Sequence, residues 1–332
     1  MRVAVIGLGW WGPKLVRNFL HTPGVACVVG CDSDPVRRDV IRREHGIAVT
    51  TSVEEVLDDP GVTAVAIATP PPTHGEIARA ALRRGKHVLV EKPPARDVAE
   101  VEELVALAAS RGLAYMVDST YIFSDAVQRL GDLTRGGFFD GITSMRFLRY
   151  GDNVRRDGVQ RLERAMLANG LDAIDDLIFH DLAVLRFLLG CARVEVLSVT
   201  TASNLWPELC DTAYVDLRVG QTAVHIGVSW TLPERRRDIT IFDRTKFLVY
   251  NDLTPYDKLR VYSIDGGREE IVPLSSANWE PLQALVAHFV ECITSGRAPI
   301  TGGAFMLDVM RMFADVRARQ RAAAIDQASS PV

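Results

Sequence analysis

Asp176 and His180 are the two residues whose types and spacing point most directly to chemistry. They stand four positions apart, which places them on one face if the segment is helical. A carboxylate one turn from a histidine can hold the imidazole in one tautomer and keep its pKa near neutral, which suits a group that takes and returns a proton. The same spacing also fits a capping and surface pair, and both interpretations stay open.

Lys92 is a second candidate, because it directly follows the apolar run Val88–Glu91. Pro93 and Pro94 prevent the chain beyond it from continuing as a strand of a sheet interior. A lysine at the carboxyl end of a buried strand faces the edge at which open parallel sheets bind ligands. The alternative is a solvent-exposed loop lysine, and the spacing does not separate the two.

Another apolar run ends in the loop Ala68–His74, which contains three consecutive prolines. Proline is excluded from helix interiors and from sheet ladders, so the segment is predicted to be a rigid loop leaving the carboxyl end of a strand. We expect Thr69 and Pro70 to border a ligand at that edge. His74 is predicted to be an early residue of the next helix, beside the same ligand.

Glycines at positions 7, 9 and 12 follow the first apolar run and precede a predicted helix. In that context Gly7 allows a tight turn, Gly9 lets the backbone approach a pyrophosphate, and Gly12 lets helix and strand pack closely. The motif in its required strand–turn–helix setting predicts dinucleotide binding; a plain turn is the alternative. The candidate cofactor-binding residues are Gly7, Gly9, Trp10, Trp11, Gly12, Asp32, Thr69, Pro70, His74, Glu91 and Lys92.

Asp32 ends the second predicted strand, 25 residues after Gly7. A carboxylate there can accept both ribose hydroxyls of the adenosine half and repels a 2′-phosphate, which favours NAD over NADP. Arg37 and Arg38 follow shortly after and could meet a phosphate instead, although both are also typical of a solvated helix face. Asp32 as a simple turn residue is the further alternative.

The elements that position these residues form two regions. Over residues 1–120, continuously apolar strands alternate with amphipathic helices, which predicts a doubly wound parallel sheet of the Rossmann type. Residues 121–327 are predicted to form a substrate-binding and oligomerisation α/β domain whose later strands alternate apolar and polar residues. Its helix over 175–190 is predicted to begin at an N-cap formed by Asp175 or Asp176 and to end at Gly190.

Composition excludes several classes of protein. The 332 residues have 48% hydrophobic and 24% charged residues and a net charge of −4, without a single-sign block, which argues against a nucleic-acid partner. No apolar run approaches the roughly 20 residues that span a bilayer, and the chain begins with a strand rather than a signal peptide, so we expect a cytoplasmic protein. The five cysteines are odd in number and scattered, so we expect no disulfide framework. No cysteine or histidine cluster has the spacing of zinc ligands, so we expect no metal.

The glycine motif, the loop Ala68–His74 and the tripeptide Glu91-Lys92-Pro93 together resemble the glucose–fructose oxidoreductase/inositol dehydrogenase (Gfo/Idh/MocA) family. The resemblance covers nearly the whole chain and implies a Rossmann domain followed by an α/β domain with an open, mostly antiparallel sheet. It implies that Lys92 hydrogen-bonds the reacting oxygen beside the nicotinamide. It also makes Asp176 and His180 the second catalytic element, and it implies a homodimer or homotetramer formed through the second sheet.

The closest appearance is to the branch of nucleotide-sugar 3-dehydrogenases and ketoreductases. The chain departs from this pattern at Lys14, where relatives usually have asparagine, at Ile178-Phe179 before His180, and at Asp118-Ser119 after the fifth strand. The large side chains of Ile178 and Phe179 would change the shape of the substrate pocket if they faced the site. The polar stretch 151–170 carries arginines that could grip a substrate phosphate, at positions Arg155, Arg156, Arg161 and Arg164.

These features predict an NAD(H)-dependent oxidoreductase that interconverts a secondary hydroxyl and a ketone on a sugar or nucleotide sugar. Lys92 would polarise the oxygen, His180 would serve as general acid/base, and Asp176 would orient His180 or bind a hydroxyl. An NADP(H)-dependent ketoreductase and a cyclitol- or inositol-type dehydrogenase of a biosynthetic pathway remain alternatives. A non-catalytic NAD-binding regulatory protein is a hypothesis from another class.

Overall fold

The computed structural model describes residues 1–151, 171–191, 193–265, 267, 269–274 and 280–329, with side chains up to residue 323. The chain divides into two compact units. The first comprises Met1–Ser124 and Asn278–Met310, and the second comprises Asp125–Ala277 and Arg311–Val332. Within the described ranges, no helix is both long and apolar enough to cross a membrane.

A six-stranded parallel sheet forms the centre of the first unit, in the order β3-β2-β1-β4-β5-β6. This is the strand order of a Rossmann fold, so the predicted doubly wound sheet is confirmed. Strands β1, β2, β4, β5 and β6 are almost completely buried, as continuous apolar runs covered on both faces should be, whereas the edge strand β3 is partly exposed. They are β1 (Arg2–Ile6), β2 (Cys27–Cys31), β3 (Ala48–Thr50), β4 (Val62–Ile67), β5 (His87–Val90) and β6 (Tyr115–Val117).

Helices connect these strands, and three of them begin at a capping side chain, namely Asp34, Ser52 or Asp97. Asp34 caps the second helix by accepting the N–H of Val36, and Gly46 ends it in the left-handed conformation. The helices are α1 (Gly12–Leu20), α2 (Pro35–His45), α3 (Val53–Asp58), α4 (His74–Arg83) and α5 (Val98–Ser110), with 3₁₀ turns at Pro71–Thr73 and Thr120–Phe123. Strand β3 and helix α3 are not expected from the sequence, because elements of three and six residues leave little periodicity to detect.

The second unit contains an eight-stranded sheet in the order β14-β13-β12-β11-β7-β10-β9-β8. Only β7 and β10 pair in parallel, and every other described pair is antiparallel, which confirms the mostly antiparallel sheet. The strands are β7 (Ser144–Tyr150), β8 (Glu195–Ala202), β9 (Thr212–Val219), β10 (Thr222–Ser229), β11 (Arg236–Phe242), β12 (Lys246–Asn251), β13 (Leu259–Ser263) and β14 (Glu269–Ile271).

Helices α6 (Asp125–Arg135) and α7 (Phe179–Leu189) pack on each other within the second unit. A π-helical turn over Ile174–Ile178 leads directly into α7. The chain then contributes α8 (Pro281–Ser295) to the first unit, and the long α9 (Gly303–Ser329) begins there and continues in the second unit. In the first unit, α8 packs against α1 and against the turn that follows β6.

Candidate active site

The glycine turn follows β1 and leads into α1, as the motif predicts. Gly7 has a φ of 93°, and a Cβ there would lie 2.5 Å from the carbonyl oxygen of Ala68. A Cβ on Gly12 would lie 2.0 Å from the carbonyl oxygen of Gly7. Around Gly9, in contrast, the nearest atom to such a Cβ is Nη1 of Arg37, at 3.7 Å. Gly7 and Gly12 are therefore required by the packing of the turn, whereas Gly9 has free space beside its backbone.

Asp32 lies directly after β2, and both of its carboxylate oxygens are engaged. Oδ2 accepts the N–H of Leu8 at 2.7 Å, and Oδ1 accepts the N–H of Asp34 at 2.8 Å. The first bond attaches the carboxylate to the glycine turn. The guanidinium of Arg37 is 3.6 Å from Oδ2, while Arg38 donates to the carbonyl oxygen of Asp32 at 2.6 Å. Asp32 is therefore a turn residue as well as a carboxylate beside the glycine motif.

His74 connects the loops that follow β4 and β5. It is the first residue of α4, as expected, and it is completely buried. Its Nε2 lies 2.7 Å from the carbonyl oxygen of Thr69, and its Nδ1 lies 2.8 Å from that of Pro93. Burial lowers the pKa of His74. The ring thus holds the two loops together, and its contact with a cofactor stays a prediction.

Lys92 is the second residue after β5, with a cis peptide bond to Pro93. Glu91 continues the sheet ladder by donating its N–H to the carbonyl oxygen of Ile67 at 2.9 Å. Lys92 is half-buried, and its positive charge acts to lower the pKa of His74 and of Asp118. The carboxyl edge of the first sheet therefore carries the glycine turn, Asp32, the Thr69-Pro70 loop and Lys92.

Asp118, one of the departures from the family pattern, is a buried carboxylate at the same edge of the sheet. Its Oδ2 accepts the indole N–H of Trp11 at 2.6 Å. Lys14, the other departure nearby, places its ammonium 4.2 Å from the ring centroid of Trp10 and 4.5 Å from that of Trp11. A partner for Asp118 could not be identified from sequence, because it lies 107 residues away.

In the second unit, the segment that carries Asp176 begins earlier than predicted. Asp172 is the capping side chain, since its Oδ1 accepts the N–H groups of Ile174 and Asp175 at 2.9 and 3.1 Å. The prediction that Asp175 or Asp176 is the N-cap is therefore wrong. The reason is a tertiary contact: Arg317 on α9 holds Asp172 with bonds of 2.7 and 2.8 Å, so the helical turns start upstream. The predicted C-terminal residue Gly190 is confirmed, with a φ of 64°.

Asp176 lies in the π turn, and its Oδ2 accepts the indole N–H of Trp230 at 3.1 Å. Trp230 is fully buried in a cluster with Ala173, Trp206 and Leu209. π turns are frequent at functional sites, where they change the direction of a side chain. In the sequence, Trp230 follows an alternating apolar run that is typical of a strand, and the one signal of a further role is that a buried indole needs an acceptor for its N–H.

His180 is half-buried in the first turn of α7. The next residue, Asp181, is buried and forms an ion pair with Arg149 of β7, with Nη2 and Oδ1 2.6 Å apart. Ile178 and Phe179, which precede His180, are also buried, and Phe179 packs edge-on against Phe313 at 5.9 Å. Their bulk is thus used for packing inside the unit, which answers the question raised by this departure.

The four arginines considered for phosphate binding, Arg155, Arg156, Arg161 and Arg164, lie outside the described residues. In the part of the chain that the structure describes, no group of three or more histidine, cysteine, aspartate or glutamate side chains could hold a metal ion. The candidate catalytic groups among the described residues are a lysine at a sheet edge and an Asp176–His180 motif at the start of a helix.

The chain is similar to known oxidoreductases. Residues 1–119 match the model of the GFO_IDH_MocA oxidoreductase family with an NAD-binding Rossmann fold. The chain is 27% identical over 311 residues to UDP-N-acetylglucosamine 3-dehydrogenase of Acidithiobacillus ferrooxidans, covering 91% of this chain and 92% of that protein. It is 26% identical over 319 residues to the NAD(+)-dependent scyllo-inositol 2-dehydrogenase of Bacillus subtilis, covering 90% and 88%.

Among solved structures, levoglucosan dehydrogenase in complex with NADH and levoglucosan shares the fold, with a TM-score of 0.85 at 19% sequence identity. The alignment covers 97% of each chain. At that identity the likeness concerns the fold alone. Residues 1–119 are therefore similar to the NAD-binding Rossmann domain of the Gfo/Idh/MocA oxidoreductases, and the chain as a whole is similar to two dehydrogenases over about nine-tenths of its length.

Proposed function

We propose that this protein oxidises a secondary hydroxyl of a sugar or nucleotide sugar to a ketone, or catalyses the reverse reduction. The observation that carries the proposal is Lys92, which lies at the same carboxyl edge of the parallel sheet as the glycine turn and Asp32. That edge is where open parallel sheets bind dinucleotides and the substrates that react with them. NAD, when bound, accepts the hydride.

Each proposed catalytic residue has a separate task. Lys92 donates a hydrogen bond to the reacting oxygen and stabilises negative charge that develops on it. His180 removes the hydroxyl proton as the carbon loses its hydride, and it returns that proton during reduction. Asp176 orients His180 or binds a neighbouring hydroxyl, and the bond from the buried Trp230 supports it by restricting one of its carboxylate oxygens.

NAD is the proposed cofactor because the Asp32 carboxylate is held in place by two backbone N–H groups. A fixed carboxylate suits ribose hydroxyls and repels a 2′-phosphate. Arg37 is the observation that favours the alternative, because its guanidinium lies 3.6 Å from Asp32 and more than half of its side chain is exposed. An NADP(H)-dependent ketoreductase is therefore the second candidate.

Relatives support a carbohydrate-like substrate without choosing among its forms. The two relatives compared above are named for a nucleotide sugar and for an inositol. A cyclitol or inositol dehydrogenase thus remains an alternative to the sugar nucleotide enzyme. Assembly into a homodimer or homotetramer through the second sheet and a location in the cytoplasm stay predictions, as does the hypothesis of a non-catalytic regulator.

The test is a screen of nucleotide sugars, free sugars and cyclitols in which NADH absorbance is followed in both directions. Lys92→Met and His180→Ala should each lower kcat by at least about a hundredfold while NADH still binds, since each removes a group that acts in the transition state. Unchanged turnover in both variants would refute the assigned roles.

Two substitutions serve as matched controls. His225→Ala removes a histidine from another Asp–His pair, in which Nδ1 is 2.8 Å from Asp216. Lys258→Met removes a partly buried lysine that pairs with Asp252 at 3.0 Å. Both should retain turnover, which separates loss of a catalytic group from the general cost of such substitutions.

A further inference from the structure

Asp118 is the buried titratable group at the sheet edge to which the reaction above gives no task. The residue is only 4% exposed. Its Oδ1 accepts the N–H of Thr120 at 3.1 Å and the hydroxyl of the same residue, and its Oδ2 accepts the indole N–H of Trp11 at 2.6 Å. A carboxylate in such surroundings is costly unless it is fully hydrogen-bonded, and burial raises the pKa of Asp118. The bonds from Thr120 are local, so the long-range contact that this carboxylate makes is with Trp11.

The bond between Trp11 and Asp118 joins the ends of two strands that are not neighbours. Trp11 belongs to the turn after β1 and Asp118 follows β6, while β4 and β5 lie between these strands in the sheet. Three strand spacings correspond to roughly 14 Å. The connection therefore spans the part of the edge where Thr69 follows β4 and Lys92 follows β5.

The Trp11 side chain is restrained from two directions. Its N–H is used by Asp118, and the ammonium of Lys14 lies 4.5 Å from its ring centroid. A cation over an indole face is an attractive contact. In addition, the carbonyl oxygen of Trp11 accepts the N–H groups of Lys14 and Leu15 in the first turn of α1, at 3.0 and 3.2 Å. The position of the indole is thus linked directly to the start of the helix that the glycine motif requires.

Asp118 is linked to the Lys92 loop as well. Its backbone N–H donates to the carbonyl oxygen of Val90 at 2.8 Å, two residues before Lys92. The charge of Lys92 acts on the Asp118 carboxyl and opposes the effect of burial on its pKa. One carboxylate therefore contacts the glycine turn through its side chain and the lysine-bearing strand through its backbone.

We propose that Trp11 and Asp118 form a positioning pair, which sets the distance between the glycine turn and Lys92 and so aligns the bound dinucleotide with the reacting oxygen. This inference rests on the proposed function, because it assigns the pair to the geometry of that reaction. Asp118 acts through Trp11 and Lys92 and does not itself exchange a proton with the substrate.

The test is a double-mutant cycle in the full chain, with Trp11→Phe, Asp118→Asn and both together. Trp11→Phe keeps an aromatic ring and removes the N–H donor. Asp118→Asn keeps the shape, and because the N–H of Thr120 needs the remaining amide oxygen, its NH2 group faces Trp11 and cannot accept the indole N–H. Each single substitution should raise the Kd for NADH about fivefold, the effect of one lost hydrogen bond. The double variant should be no worse than the weaker-binding single variant, because both substitutions break the same bond.

Asp243→Asn is the matched control. Asp243 is also a buried aspartate that accepts several N–H groups, but it lies in the β11–β12 turn of the second unit. The Kd of the Asp243→Asn variant for NADH should equal that of the unsubstituted protein. Additive effects in the cycle, or single variants that bind NADH within twofold of the unsubstituted protein, would overturn the proposal.

The binding cycle needs no turnover, so it remains decisive even if no hydroxyl substrate is found and the proposed function fails. With a substrate, the primary deuterium isotope effect on kcat should rise in both single variants, because a misaligned hydride transfer becomes the slow step. A purely structural bond would leave the isotope effect unchanged. If Asp118→Asn fails to fold, Trp11→Phe alone decides: an unchanged Kd and isotope effect reject the pair.

Discussion

Replacement of single glycines in the turn after β1 should separate the needs of the fold from the needs of the cofactor. In Gly12→Ala the new methyl carbon would be 2.0 Å from the carbonyl oxygen of Gly7, about 1.4 Å closer than the 3.4 Å at which ordinary contact begins. The backbone fixes the positions of both the Cβ atom and the carbonyl oxygen, so neither atom can move away by a side-chain rotation. In Gly9→Ala the nearest atom is the flexible end of Arg37, at 3.7 Å.

The two variants should therefore fail in different assays. Overpacking costs about 1–3 kcal/mol and occasionally more, and a backbone overlap of this size places Gly12→Ala at about 3 kcal/mol or above. Gly9→Ala should change the free energy of unfolding by less than about 0.5 kcal/mol. It should nevertheless raise the Kd for NADH at least about tenfold, or 1.4 kcal/mol, because its methyl group occupies the space that a pyrophosphate would approach.

Denaturant unfolding followed by circular dichroism measures the first quantity, and titration of NADH fluorescence measures the second. Gly12→Ala with unchanged stability would show that the helix and the turn are not as closely packed as described. Gly9→Ala with unchanged NADH affinity would show that the dinucleotide does not approach this backbone, and the assignment of the glycine motif would fail with it.

Three further predictions follow from the contacts at the two sites. Trp230→Phe removes the donor to Asp176 and should lower kcat about tenfold, the worth of a hydrogen bond to a charged group, while the Kd for NADH is unchanged; a lower NADH affinity with normal kcat would contradict it. Asp32→Ser should narrow the preference for NAD over NADP by at least about tenfold in Kd, and an unaltered ratio in a binding titration would reject the role of this carboxylate. Burial raises the pKa of Asp118 above its value in the unfolded chain, so ionisation of this group costs stability as the pH rises from about 4. The difference in Tm between Asp118→Asn and the unsubstituted protein should therefore shift in favour of the variant between pH 4 and 7. A difference in Tm that stays constant or shifts the other way would contradict this prediction.

The first sheet could be predicted from sequence because its strands are continuously apolar and its turn residues are chemically specific. The roles of Gly7 and Gly12 could be predicted from the motif, because a Cβ at either position would overlap the backbone of a neighbouring turn or loop. The same reasoning missed α3 and β14, which have six and three residues. A short and largely polar segment has too few buried positions to establish a period.

The site was only partly predictable, for a different reason. Lys92 and Asp32 follow predicted strands, so their edge of the sheet could be inferred from chain order. The partners that orient the candidate residues could not, because Trp230 is 54 residues from Asp176 and Asp118 is 107 residues from Trp11. Such bonds form between residues that only the tertiary fold brings together, and the sequence around each residue does not identify its partner.

The segment at residues 301–302 has a consequence for what the first unit can do alone. Strand β6 is the last strand of its sheet, and its outer side is covered by Thr301, which accepts the N–H of Val117 at 3.1 Å and returns a hydroxyl bond of 2.7 Å. Gly302 forms an antiparallel bridge with Met116. A polypeptide ending near residue 124 would leave these backbone groups open to pairing with another molecule. Efforts to isolate a minimal nucleotide-binding fragment should therefore retain residues 280–310, or the fragment will be prone to aggregate through the uncovered edge.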